Sequence, residues 1–76
     1  MIAKPLWKVQ MSILPGAFAM FNPPLDGIYV TTPGLYLLRD STNVNISWNI
    51  TVVPTYIPLK IRRVATGPTF VIGGYF

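Results

Sequence analysis

Asp26 and Asp40 are the only carboxylates in this 76-residue chain, which has no His and no Cys. Those absences decide most of the available chemistry. A Ser nucleophile has no imidazole to activate it, so an ordinary triad cannot be assembled. Two carboxylates can share acid–base work only where they converge. Here each stands among turn residues, Asp26 before Gly27 and Asp40 before Ser41-Thr42, where a short acid bonds the local backbone. Zinc lacks its usual ligands, and a calcium cage lacks carboxylates. Gly73-Gly74 opens no helix, so it does not read as a phosphate loop. The chain is therefore expected not to be an enzyme, with no cofactor, no metal and no small-molecule substrate.

Residues suited to contact are better represented. The net charge is +4, from Lys4, Lys8, Arg39, Lys60, Arg62 and Arg63 against the two acids. Only Lys60, Arg62 and Arg63 cluster, and they are the candidate electrostatic contact. Three charges on one strand read as a solvated face, so nucleic acid is not the expected partner. A small β-barrel that binds nucleic acid is the alternative reading. Trp48 shares its alternate positions with Val44, Ile46, Ile50 and Val52 and reads as core. Trp7, between Leu6 and Lys8, reads as core or as an arm anchor and is the better contact candidate of the two. The sequons Asn45-Ile46-Ser47 and Asn49-Ile50-Thr51 are explained by the wet face of a strand.

The elements that would carry these residues are strands. From Asn43 to Val53, apolar and polar side chains alternate with period two, which predicts a strand with one buried face. Gly27–Thr31 and Leu35–Arg39 read as short strands joined by a type II turn at Thr32-Pro33-Gly34-Leu35. Asp40-Ser41-Thr42 then turns the chain into the alternating strand as a hairpin. Pro54 ends that strand. Ile57–Ala65 reads as the next strand, and burying Val64 as well as Ile61 requires a β-bulge near Arg63-Val64. Thr69–Ile72 reads as the last strand, with Gly73-Gly74 allowing close backbone approach.

The first part of the chain is less regular. Leu6–Leu14 fits either a strand or an extended arm, and Gly16–Leu25, with Pro23-Pro24, reads as a loop or arm. Ala17-Phe18-Ala19 has the form of a signal cleavage site, but Pro15-Gly16, Gln10 and Ser12 interrupt the apolar run, so no secretory signal is expected. Ser41–Leu59 carries no charge, yet it alternates and contains Pro54 and Pro58, so no membrane span is expected.

Composition says what such a domain must do. A chain this short buries only about 60% of its unfolded surface. With disulfides and metals excluded, association is the remaining source of burial. The chain is 51% hydrophobic and 11% charged, against about 25% charged in an average domain. Either large apolar patches are exposed or they meet other subunits, and the second is the expectation.

Two stretches carry a family resemblance. Ile28-Tyr29-Val30-Thr31-Thr32-Pro33-Gly34 and Ile57-Pro58-Leu59-Lys60-Ile61-Arg62-Arg63-Val64-Ala65-Thr66-Gly67 resemble, in order and spacing, the strand-turn and C-terminal motifs of the head-spike base family of small tailed-phage and gene-transfer-agent proteins. Pro68, Phe70 and Gly73-Gly74 depart from that family's pattern. The resemblance implies a structural protein of a phage virion, made in the host cytoplasm and seated on the phage head as a spike base, a capsid decoration (cement) protein or a minor head or neck protein. Its implied partners are the major capsid protein or another virion protein, and copies of itself.

The expectation is thus an all-β fold, a small antiparallel β-sandwich or barrel-like domain over residues 25–76 with an extended N-terminal arm over residues 1–24. A homo-oligomer, trimer or pentamer, would close edge strands into a ring. Leu6, Trp7, Phe18, Met20, Phe21, Tyr75 and Phe76 are the expected interface.

Overall fold

A computed structural model describes residues 4–16 and 20–76. It is all-β, as expected, and built of two antiparallel sheets. In chain order the strands are β1 (Val9–Ile13), β2 (Gly27–Val30), β3 (Gly34–Asp40), β4 (Asn45–Ile50), β5 (Thr55–Ile57), β6 (Ile61–Thr66) and β7 (Val71–Tyr75). One sheet runs β1-β7-β2-β5 and the other β4-β3-β6. Among the described residues, no helix is long and apolar enough to cross a membrane.

Period-two patterning explains which face each strand buries. Ile28 and Val30 of β2, Ile57 of β5, Ile13 of β1 and Val71 of β7 point inward from the first sheet. Tyr36 and Leu38 of β3, Ile50 of β4, and Ile61 and Val64 of β6 meet them from the second. Leu25 closes one end, with its N–H donating to Ile61 O at 2.8 Å. No polar or charged residue described is buried. Each fully buried aliphatic side chain contributes about 1.5–3 kcal/mol, which is a large share of a small domain's stability.

The β3–β4 hairpin forms where its turn residues require. Asp40 Oδ1 accepts from Thr42 N at 2.8 Å, Thr42 Oγ1 at 2.7 Å and Val44 N at 3.0 Å. Asn43 takes the left-handed conformation, φ 64°, which Asn tolerates better than most residues. The expected bulge is also present. Arg39 pairs with Arg63 and Asp40 with Ile61, leaving Arg62 extra; Leu38 pairs with Val64 and Leu37 with Thr66, leaving Ala65 extra. The slip at Arg62 brings Ile61 and Val64, three residues apart, onto the same buried face.

Four expectations change. Gly27–Val30 and Gly34–Asp40 do not form a hairpin, because Thr31–Pro33 carries the chain from one sheet to the other. The stretch from Ile57 to Ala65 is two strands, not one. Pro58 has no donor to continue a ladder, and Pro58–Lys60 crosses between the sheets. The last strand begins at Val71 and carries Gly73 and Gly74 inside it. Finally, Val9–Ile13 is a strand in full register with β7, from Val9 opposite Tyr75 to Ile13 opposite Val71. That part of the 1–24 segment is thus built into the sheet rather than extending from it as an arm.

Candidate interaction surfaces

The two carboxylates have separate structural duties. Asp26 binds the Lys60 ammonium, and its Oδ2 accepts from Phe76 N at 2.8 Å. The Lys60 hydrogen bond, followed by the one from Phe76, holds this carboxyl below its ordinary pKa. Asp40 is likewise held low, first by the Thr42 hydroxyl and then by Val44 N–H. The two therefore anchor different segments, one the start of β2 and the other the hairpin turn.

Within the chain, residues of the expected basic cluster have contacts of their own, and the β3–β6 register adds Arg39 beside them. Lys60 is engaged by Asp26. Arg62, the extra residue of a bulge, donates from Nε to Ser41 O at 3.0 Å. Arg63 instead faces Arg39 directly across the β3–β6 ladder. Arg39 also donates from Nε to Asn45 Oδ1 at 3.2 Å. Like charges directly opposite each other on a sheet are unfavourable in isolation. Sequence spacing missed Arg39 because the β3–β6 register depends on bulges that no local signal fixes.

The expected interface residues divide into two groups. Trp7 and Phe76 come together on the outer face of the first sheet, ring centroids 6.4 Å apart, and Trp7 meets Tyr56 edge-on at 6.0 Å. The Trp7 indole rests on Gly74 and the Tyr56 ring on Gly27, and these two glycines are cross-strand partners. Trp7 Nε1 is buried there without a hydrogen-bond partner. Leu6, Met20 and Phe76 are exposed, Leu6 at 94%. Phe21 and Tyr75 pack against the core instead. Tyr75 also donates from its hydroxyl to Pro23 O at 2.7 Å, so both belong to the chain's own packing. Phe18 lies outside the described residues.

The feature that sequence reasoning placed least well is β4. Its period-two pattern is real, and Ile46, Trp48 and Ile50 share the face of Leu38, Tyr36 and Gly34 on β3. But β4 is an edge strand of its sheet. Only Ile50 is buried. Trp48, expected in the core, is 37% exposed; Val44 is 55% exposed and Val52 71%. Apolar alternation reports a face that needs cover, and this chain supplies cover at one end of it only.

No protein-family model, curated protein or solved structure matches this chain.

Proposed function

We propose that this protein is a structural subunit of a larger assembly. It works by association through apolar surface, in the class that the head-spike base resemblance suggests: a component of a phage or gene-transfer-agent particle. The observation that carries the reading is the balance of the surface. Ten large hydrophobic side chains are exposed among the described residues, while the whole chain has eight charged ones, six basic and two acidic. An isolated domain with that surface has a strong drive to associate.

Sedimentation of the purified chain at micromolar concentration, with mass spectrometry of particles purified from the source culture, tests this. The expected results are a species heavier than one chain and the chain's presence in fixed stoichiometry in the particles. A stable monomer that is absent from particles overturns the proposal.

The opposed Arg39 and Arg63 favour a second reading, in which an acidic partner such as nucleic acid docks on β3 and β6. It requires binding that weakens steeply with salt.

A further inference from the structure

We propose that two copies of this chain join through β4, edge to edge and antiparallel, about a two-fold axis through Trp48. The inference rests on the assembly reading above and names its contact. The strand edges differ in how far they are open. β6 is covered by its own chain: Gly16 N donates to Val64 O, Phe21 N to Arg62 O and Leu25 N to Ile61 O. β5 has three residues between Pro54 and Pro58, and short strands bounded by proline make poor templates. β1 begins after Lys8, and its inward residues Met11 and Ile13 are already packed on the core. β4 has none of these protections. It is six residues of regular strand without Pro, bulge or charge, inside the charge-free stretch Ser41–Leu59.

Hydrogen-bond parity then identifies the groups that β4 offers. Asp40 N donates to Val44 O, which makes this a hydrogen-bonded pair. Alternation along an antiparallel ladder turns the N–H and C=O groups of Val44, Ile46, Trp48 and Ile50 toward β3. Those of Asn45, Ser47 and Asn49 point outward. Among the described residues, no strand meets them.

Side-chain chemistry selects both the occupant and the register. Antiparallel partners share a face, so a two-fold axis must pass through one residue. Centred on Trp48, the axis sets Ile46 opposite Ile50 of the second copy and Trp48 opposite itself and, with the residues just beyond the ends of β4 drawn into the ladder, Val44 opposite Val52. On the other face Ser47 meets Asn49 and Asn45 meets Thr51. Every apolar residue of β4 gains an apolar partner in this register, and every polar one a hydrogen-bonding partner. Moving the axis to Ser47 sets Val52 against Thr42, and moving it to Asn49 sets Val44 against Pro54. Although the whole chain carries +4, this edge brings no charge against its copy. The product is a continuous six-stranded sheet, β6-β3-β4 joined to its symmetry mate. Such a contact is isologous and closes with two copies, so the pair, rather than a trimer or pentamer, is the elementary unit.

The chain has no Cys, so a single introduced thiol is diagnostic. In the proposed register residue 48 faces its own copy as a non-hydrogen-bonded pair, with Cα atoms about 4.5 Å apart, within the disulfide range of about 4.4–6.8 Å. Trp48→Cys is expected to form a disulfide-linked dimer under mild oxidation, and Leu35→Cys is not. Mixed Val44→Cys and Val52→Cys chains should link to each other faster than either links to itself. Because removing Trp48 weakens the contact, Ser47→Pro gives a second line of test in the otherwise natural chain. It deletes an outward N–H without touching the β3 ladder, and it should weaken dimerisation at least about tenfold, since each dimer loses two ladder bonds. Its circular dichroism should match the wild type. A folded Ser47→Pro variant that self-associates like the wild type overturns the β4 contact and leaves the assembly reading standing. A wild-type chain found in particles but monomeric in solution does the same. A monomer absent from particles removes both.

Discussion

Gly74 lies directly beneath the indole of Trp7. A Cβ placed on Gly74 would fall 2.3 Å from Val9 O and 2.5 Å from Trp7 Cδ2. The glycine therefore lets β1 and its preceding tryptophan close against β7. Gly74→Ala should destabilise the fold by about 3 kcal/mol, the upper range for overpacking, read as a lower urea midpoint. Adding Trp7→Ala should recover only part of that loss, because the Val9 carbonyl still blocks the new methyl.

The N-terminal strand is part of the fold. Removing residues 1–24 deletes β1, the buried Ile13 and two of the backbone ties on β6. Such a truncated chain should lose its cooperative thermal transition. The milder Ile13→Ala should cost about 2–5 kcal/mol and still fold. A truncated chain that melts like the full one would show that β1 contributes little to the sheet.

Acid should loosen the link between the start of β2 and Phe76. Hydrogen bonds from Lys60 and then Phe76 lower the Asp26 pKa in the folded state. The stabilisation is therefore present above the unfolded carboxylate value and is lost as pH falls through the lower folded one. Thermal midpoints of the wild type and Asp26→Asn, followed from about pH 7 to about pH 2, should differ at neutral pH and converge in acid. Parallel curves would assign the difference to something other than this titration.

Arg39 offers a separate test of the acidic-partner reading. Arg39→Gln gives up a hydrogen bond to Asn45 and relieves the opposition to Arg63. Its stability should stay within about 0.5 kcal/mol of the wild type, as for most surface substitutions. If an acidic partner binds β3 and β6, the variant should leave a heparin column at lower salt. Unchanged elution would count against that surface.

The sequence made some of this architecture legible because local chemistry determines it. The Asp40 turn, the β3–β4 hairpin and the bulge around Arg63-Val64 each follow from a few neighbouring residues. The close approach at Gly73-Gly74 was readable for the same reason. What escaped was the assignment of strands to sheets. Ile57, Leu59 and Ile61 keep one parity across Pro58–Lys60, so alternation cannot distinguish one long strand from two that change layers. Nor can it distinguish a central strand from an edge strand, and that is why Trp48 read as core. At the candidate surface, Trp7 and Phe76, both read as interface residues, meet each other on the outer face of the first sheet. Tyr75 was not distinguishable from them until its bond to Pro23 and its packing were seen.

The position of β7 governs how this molecule can come into being. The seventh strand lies between β1 and β2, so the first sheet stays in two pieces until Val71–Tyr75 arrives. During synthesis, β1 must wait unpaired while some sixty residues are added after it. Its eventual ladder spans nearly the whole described chain, a long-range closure of the kind that slows folding. A nascent chain held on the ribosome before Gly74 emerges should remain open to proteases, and its resistance should appear in one step when β7 is free to insert.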